Sequence, residues 1–190
     1  MEALEYCRNK HWITMIGVSN FSVPQLDVVR DVGCVDIVQL GYNLLWRIHE
    51  KDLIPYCIQN DILLTTYSSL AQGVLAGKFP RDPKFGSDDN RNRSIFFEDD
   101  YWPSIYDAVE EMKQIAETEN CSLVELATSW LVSKGEIASV VVSARNVGQI
   151  ETLIKGSEGN HASVMAELTD ISDRITEKLP EQGNIFQYYP

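Results

Sequence analysis

Four short runs, at 13–18, 36–40, 62–66 and 137–142, are apolar almost throughout, and the segments between the first three carry apolar residues at helical spacing. Strands that are apolar on both sides are covered on both sides. Their alternation with helices therefore predicts an α/β fold of parallel strands joined by crossover helices.

Local signals mark where those helices begin. Ser22-Val23-Pro24-Gln25 combines a Ser cap, a reciprocating Gln and a Pro in the first turn. Val23, Leu26, Val29 and Val32 then predict one buried stripe. A helix over 51–59 turns Leu53, Ile54, Cys57 and Ile58 toward the sheet, which requires Pro55 to lie in its first turn. Further on, Ile105, Val109, Met112 and Ala116 form a stripe. Ser122 and Glu125 form a second capping box, ahead of Ala127, Trp130, Leu131 and a Lys134-Gly135 stop. Asn146 caps a helix predicted to end at Gly156. A last amphipathic helix carries Ile171, Ile175 and Leu179 before the tail from Gly183 to Pro190. Between the third strand and the Ile105 helix, residues 68–103 are rich in Gly, Pro, Asp, Asn and Arg, and excursions of this length are functional or disordered.

Charge and composition narrow the function. With 16 Lys and Arg against 28 Asp and Glu, the net charge of −12 gives no basic face for nucleic acid. At 44% hydrophobic and 23% charged residues, the chain has the make-up of a globular domain that buries a core. No apolar run approaches the ~18 residues of a membrane span. Cys7, Cys34, Cys57 and Cys121 are scattered without a Cys-x-x-Cys pair, and no secretion signal precedes them, which predicts reduced thiols and a cytoplasmic protein. His11, His49 and His161 lie at no metal-ligand spacing, so no metal site is expected.

In folds of this kind ligands meet the carboxyl ends of the strands. Those ends are polar here: Ser19-Asn20, Gln39 with Tyr42-Asn43, Tyr67-Ser68-Ser69, and Ser143-Ala144-Arg145-Asn146. Any one of them is explained by helix capping or rim packing; four together point to a ligand. Asn146 to Gln149 is also a helix N-terminus beside Arg145, an arrangement suited to an anion.

The segments Gly17-Val18-Ser19-Asn20-Phe21, Val38-Gln39-Leu40-Gly41-Tyr42-Asn43, Tyr67 through Lys78, and Ser143-Ala144-Arg145-Asn146 with Gln149 resemble the aldo-keto reductases, in order and over nearly the whole chain. The resemblance implies a TIM-type (β/α)8 barrel that binds NADP(H) without a Rossmann fold, consistent with the lack of a Gly-x-Gly-x-x-Gly motif. It further implies that Ser19, Asn20 and Gln39 contact the nicotinamide carboxamide and that Tyr67 stacks on the nicotinamide ring. Ser68, Leu70, Gln72 and Gly73 would wrap the pyrophosphate. Ser143, Arg145 and Gln149 would hold the adenosine 2′-phosphate end. The pattern departs from many members at Thr152-Leu153, where Glu-Asn is usual, and at Val142 and Ser143, which replace Pro and Gly.

A full barrel of this type takes ~250 residues, and this chain has 190. By resemblance, its first strand corresponds to the fifth of the family, and Met1 to Lys10 to the end of the preceding helix. Residues 1–190 are then a single partial domain: the second half of the barrel, with four βα units and a C-terminal helix. The family's Asp, Tyr, Lys and His acid-base set would lie in the other half, so no catalytic residue is assigned here. Two readings follow. The chain is the cofactor-binding half of an NADPH-dependent reductase of a small-molecule aldehyde or ketone, active once paired with the missing half. Alternatively, it is a non-catalytic truncated half-barrel that self-associates and at most binds a pyridine dinucleotide. Within the long loop, Arg91 and Arg93 either approach phosphates or are solvated, and Phe96, Phe97 and Trp102 are expected to pack it down.

Overall fold

The computed structural model describes residues 1–181 and 185–186, so of the tail named above only Ile185 and Phe186 fall within it. Four strands, β1 (Gly17–Ser19), β2 (Ile37–Gly41), β3 (Leu63–Tyr67) and β4 (Ile137–Val140), form one parallel sheet in the order β1-β2-β3-β4. Strand order thus follows chain order, each connection crossing over through helices to the adjacent strand.

The first and last strands are shorter than their apolar runs. Pairing begins with Gly17 opposite Ile37, because Asp36, just before β2, turns its carboxylate onto the Ile16 amide at 2.6 Å. Ile16 is buried all the same, so apolarity marked the core and not the ladder. At the other end β4 stops at Val140, after a register shift between Leu64 and Thr65 of β3. One more bond follows, from the Val141 amide to the Thr66 carbonyl at 2.8 Å, and Val142 is exposed.

The helices are α1 (Glu2–Asn9), α2 (Val23–Arg30), α3 (Leu53–Gln59), α4 (Trp102–Thr118), α5 (Leu123–Val132), α6 (Val147–Glu158) and α7 (Met165–Thr176). Both predicted capping boxes form: the Ser22 amide donates to Gln25 Oε1 at 2.8 Å, and the Ser122 amide to Glu125 Oε2 at 2.6 Å. Pro55 sits in the first turn of α3, which Asp52 caps.

Three expectations need correction. The stripe of α2 reduces to Leu26: the helix ends at Arg30, Val23 and Val29 are half-buried, and Val32 is exposed. Ile58 of α3 is likewise exposed, so that helix faces the sheet through Leu53, Ile54 and Cys57. Gly156 does not stop α6, which runs on to Glu158. Its role is close packing, since a Cβ there would lie 2.7 Å from the Glu125 carbonyl oxygen and 2.8 Å from Thr128 Cβ on α5. Leu179 is buried as predicted, but beyond the end of α7.

The core lies on the helical side of the sheet, around Tyr42, Trp46, Phe96 and Trp130. The loop of 68–103 is pinned to it by buried Ile95, Phe96 and Trp102, with half-buried Phe97 packed alongside. Behind β2, Arg47 ties the following turn to α7 through Glu50, Ser172 and Asp173, the last at 2.5 Å. The outer edges carry exposed apolar side chains: Met15 near β1, and Val142, Val147, Ile150 and Ile154 near β4. Among the described residues, no helix is long and apolar enough to cross a membrane.

Candidate functional site at the carboxyl ends of the strands

The parallel register aligns a polar row across the open face of the sheet. Ser19 pairs with Gln39, Gln39 with Thr65, and Thr65 with Ser139. Partners in register point to the same face, so this row runs across all four strands at one level. Thr65 Oγ1 also donates to the Ser139 carbonyl at 3.1 Å. Sequence reasoning found Ser19 and Gln39 but missed Thr65 and Ser139. Alternation counted back from Tyr67 would have turned Thr65 inward, whereas Ser139 depends on the register shift.

One residue further along, the Asn20 amide donates to the Gln39 carbonyl at 3.0 Å, holding Asn20 at φ +60°. Tyr67 reaches across from β3, and its hydroxyl donates to Asn20 Oδ1 at 2.8 Å. Its ring crosses over Gly41, where a Cβ would come within 3.3 Å of Tyr67 Cζ. Burial raises the Tyr67 pKa above the usual phenol value, and the bond to Asn20 only partly opposes this. The phenol therefore stays neutral and serves as a flat apolar platform with one polar tip.

After Tyr67 the backbone folds into a tight loop in which Ser68, Ala71, Gln72 and Gly73 all have positive φ, between +50° and +93°. Three of these are not glycine, so surrounding contacts must hold them there. Gln72 Nε2 donates to Ser68 Oγ at 2.7 Å, and Ser69 Oγ donates to the Val141 carbonyl at 2.7 Å. A further bond joins the buried Asn43 side chain to the Ser68 carbonyl.

Between this loop and the start of α6 opens a cleft of about 730 Å³. It brings together Ser68, Leu70, Gln72 and Gly73 on one wall and Ser143, Arg145 and Gln149 on the other. Ser19, Asn20, Gln39 and Tyr67 form a separate cluster over the sheet and do not line that cleft. Lys78, Arg145 and Lys155 face the cleft against one acid, Glu125, so it is cationic in a chain of charge −12. Gln149 is engaged in helix capping: its Oε1 accepts from the Arg145 amide at 2.7 Å, and its amide donates to Asn146 Oδ1 at 3.0 Å. The Arg145 guanidinium is exposed at the cleft.

Arg91 stays within the long loop. It pairs with Asp89, holding that carboxyl down near about 2, and its guanidinium lies over the rings of Phe79 and Phe85 at 5.3 and 4.6 Å. Among the described residues no His, Cys, Asp or Glu cluster could hold a metal ion.

Sheet, crossovers and rim define an α/β protein with a parallel barrel-type sheet and a cationic cleft at its carboxyl edge. The family model described as the Aldo/keto reductase family matches residues 1–171, and the chain belongs to that family. The Bacillus subtilis aldo-keto reductase YhdN is 34% identical over 142 residues, 74% of this chain and 43% of its own length. The NADH-specific methylglyoxal reductase of Escherichia coli is 26% identical over 166 residues, covering 85% of this chain and 50% of the relative. A glycerol dehydrogenase from Gluconobacter oxydans superposes with a TM-score of 0.80 at 29% identity, over 93% of this chain and 54% of that one. The chain thus spans about half the length of the relatives it matches.

Proposed function

We propose that this chain is the dinucleotide-binding half of an NADP(H)-dependent reductase of aldehydes or ketones, completed by a partner half that supplies the proton donor. The observation that carries the reading is the juxtaposition of two features: the Ser19, Asn20, Gln39 and Tyr67 cluster over the sheet, and the cationic cleft ending at Arg145. A nicotinamide carboxamide offers one acceptor and two donors, and a hydroxyl with two side-chain amides satisfies both kinds. The Tyr67 ring, fixed by Asn20, gives the nicotinamide a surface that selects the presented face. Ser68, Leu70, Gln72 and Gly73 border the pyrophosphate path, with Ser143, Arg145 and Gln149 at its adenosine end. When bound, NADPH supplies a hydride to the carbonyl carbon. A planar guanidinium at Arg145 suits a 2′-phosphate and favours NADPH, whereas the Escherichia coli relative is named for NADH.

The four free thiols and the acidic charge support a cytoplasmic site of action, with neither nucleic acid nor membrane as partner. Exposed Val142, Ile150 and Ile154 line an apolar groove of about 510 Å³ beside β4. That groove favours pairing with a complementary half, and in its absence self-association as an inactive half-barrel that at most binds dinucleotide.

The experiment titrates the chain with NADPH by fluorescence, then adds the amino-terminal half of a full-length relative and follows NADPH oxidation with a reactive aldehyde. Binding by the chain alone with turnover only in the mixture is the expected result. A folded mixture that binds NADPH yet never turns over supports the inactive half-barrel, and no binding at all overturns the reductase reading.

A further inference from the structure

The loop from Ser68 to Gly73 borders the cleft with an unusual backbone, and something outside it must fix its shape. Its first residue is the key point. The Ser68 carbonyl accepts two hydrogen bonds, from the Ala71 amide at 2.7 Å and from Asn43 Nδ2 at 2.9 Å. The first closes the turn on itself. The second comes from across the sheet, from a side chain just past the end of β2.

Asn43 is fully buried, and its two side-chain bonds fix the amide in one orientation. Its Oδ1 accepts from the Leu45 amide at 2.8 Å, so Nδ2 is the end that faces Ser68. Its backbone is locked in turn, with the Asn43 amide donating to the Trp46 carbonyl and the Trp46 amide donating back, at 3.2 and 3.0 Å. The neighbouring Ser69 is held from the opposite side by its bond to Val141 beyond β4. The start of the loop is thus pulled between β2 and β4 while Ser68 sits at φ +53°. Asn43 itself does not line the cleft.

The geometry points to Asn43 as a positioning residue for the pyrophosphate of the dinucleotide: its amide holds the Ser68 turn, and the turn holds the loop in its receptive shape. This rests on the function proposed above. Relaxation of Ser68 toward negative φ would swing the Ser68 and Gln72 side chains and the backbone around Gly73 away from their present arrangement.

The test compares two probes on the folded chain: NADPH, and adenosine 2′-monophosphate, which carries the phosphate suited to Arg145 but no pyrophosphate. Asn43→Ala is expected to weaken NADPH about tenfold or more while adenosine 2′-monophosphate stays within about twofold. Asn43→Asp provides the rescue. A protonated carboxyl there donates to the Ser68 carbonyl as the amide does, so NADPH affinity lost at pH 8 returns as the pH is lowered. Should Asn43→Ala not fold, the pH profile of Asn43→Asp decides alone, and an affinity that stays as far below that of the unsubstituted chain at pH 5 as at pH 8 overturns the inference. So do equal losses for both probes, or NADPH binding undisturbed in folded Asn43→Ala. If the unsubstituted chain binds neither probe, the proposed function fails first and takes this inference with it.

Discussion

The hydroxyl of Tyr67, at the end of β3, donates to Asn20 Oδ1, just beyond β1, at 2.8 Å, bridging across the intervening strand. The bond orients the ring, but the stacking surface belongs to the ring itself. Tyr67→Phe should keep NADPH affinity within about threefold, the weight of one neutral hydrogen bond. Tyr67→Ala should lose about 1 kcal/mol or more of binding, roughly fivefold or greater. Fluorescence titration of the two variants separates them, and equal losses would show that the hydroxyl, not the ring, matters.

Arg145 is exposed at the cleft while its own backbone amide is occupied by Gln149. Charge-assisted bonds to phosphate are worth about 1.5–3 kcal/mol, so Arg145→Ala should weaken NADPH by roughly 10- to 100-fold. NADH, which lacks the 2′-phosphate, should be nearly unaffected. Parallel titrations with both nucleotides check this, and a uniform loss would place the 2′-phosphate elsewhere.

Gly156 leaves no room for a methyl group between α6 and α5. Gly156→Ala forces the helices apart or strains the contact, which costs about 1–3 kcal/mol. A chain of this size then melts about 2–12 °C lower, at roughly 2–4 °C per kcal/mol. Thermal unfolding followed by circular dichroism reads the shift, and an unchanged melting temperature would mean that α6 does not pack on α5 as described.

His49, in the short turn behind β2, has its pKa pushed down from 6.5 to about 4 by burial, with Asp52 opposing only weakly. The unfolded chain therefore binds the proton first as pH falls. Its contribution to stability is complete above pH 6.5 and is lost progressively toward about pH 4. Between pH 6.5 and about 5, where most carboxylates are still ionised, the slope approaches 1.4 kcal/mol per pH unit. Urea denaturation at several pH values should show this slope in the unsubstituted chain and a flatter profile in His49→Gln.

Much of this architecture is visible in the chain because its signals are local. The Ser22–Gln25 and Ser122–Glu125 boxes each lie within four residues, and both helices start where those pairs place them. Tyr67 closes β3 and the Ser68–Gly73 loop follows it, so both lie at a strand end that the apolar run already marks. What escaped depends on partners remote in sequence. Gly156 reads as a helix stop until α5 is seen against it, and Val32 reads as core until α2 is seen to end short of it. Asn43 stands in a recognisable motif, but its value lies in a bond to a residue 25 positions away. Hydrophobic periodicity cannot encode a bond of that kind.

Among the described residues, the sheet has two outer strands, β1 and β4, each paired on one side only. A border of this kind is a template for extended backbone. Each border therefore presents a row of backbone amides and carbonyls that a further strand would satisfy by extending the ladder.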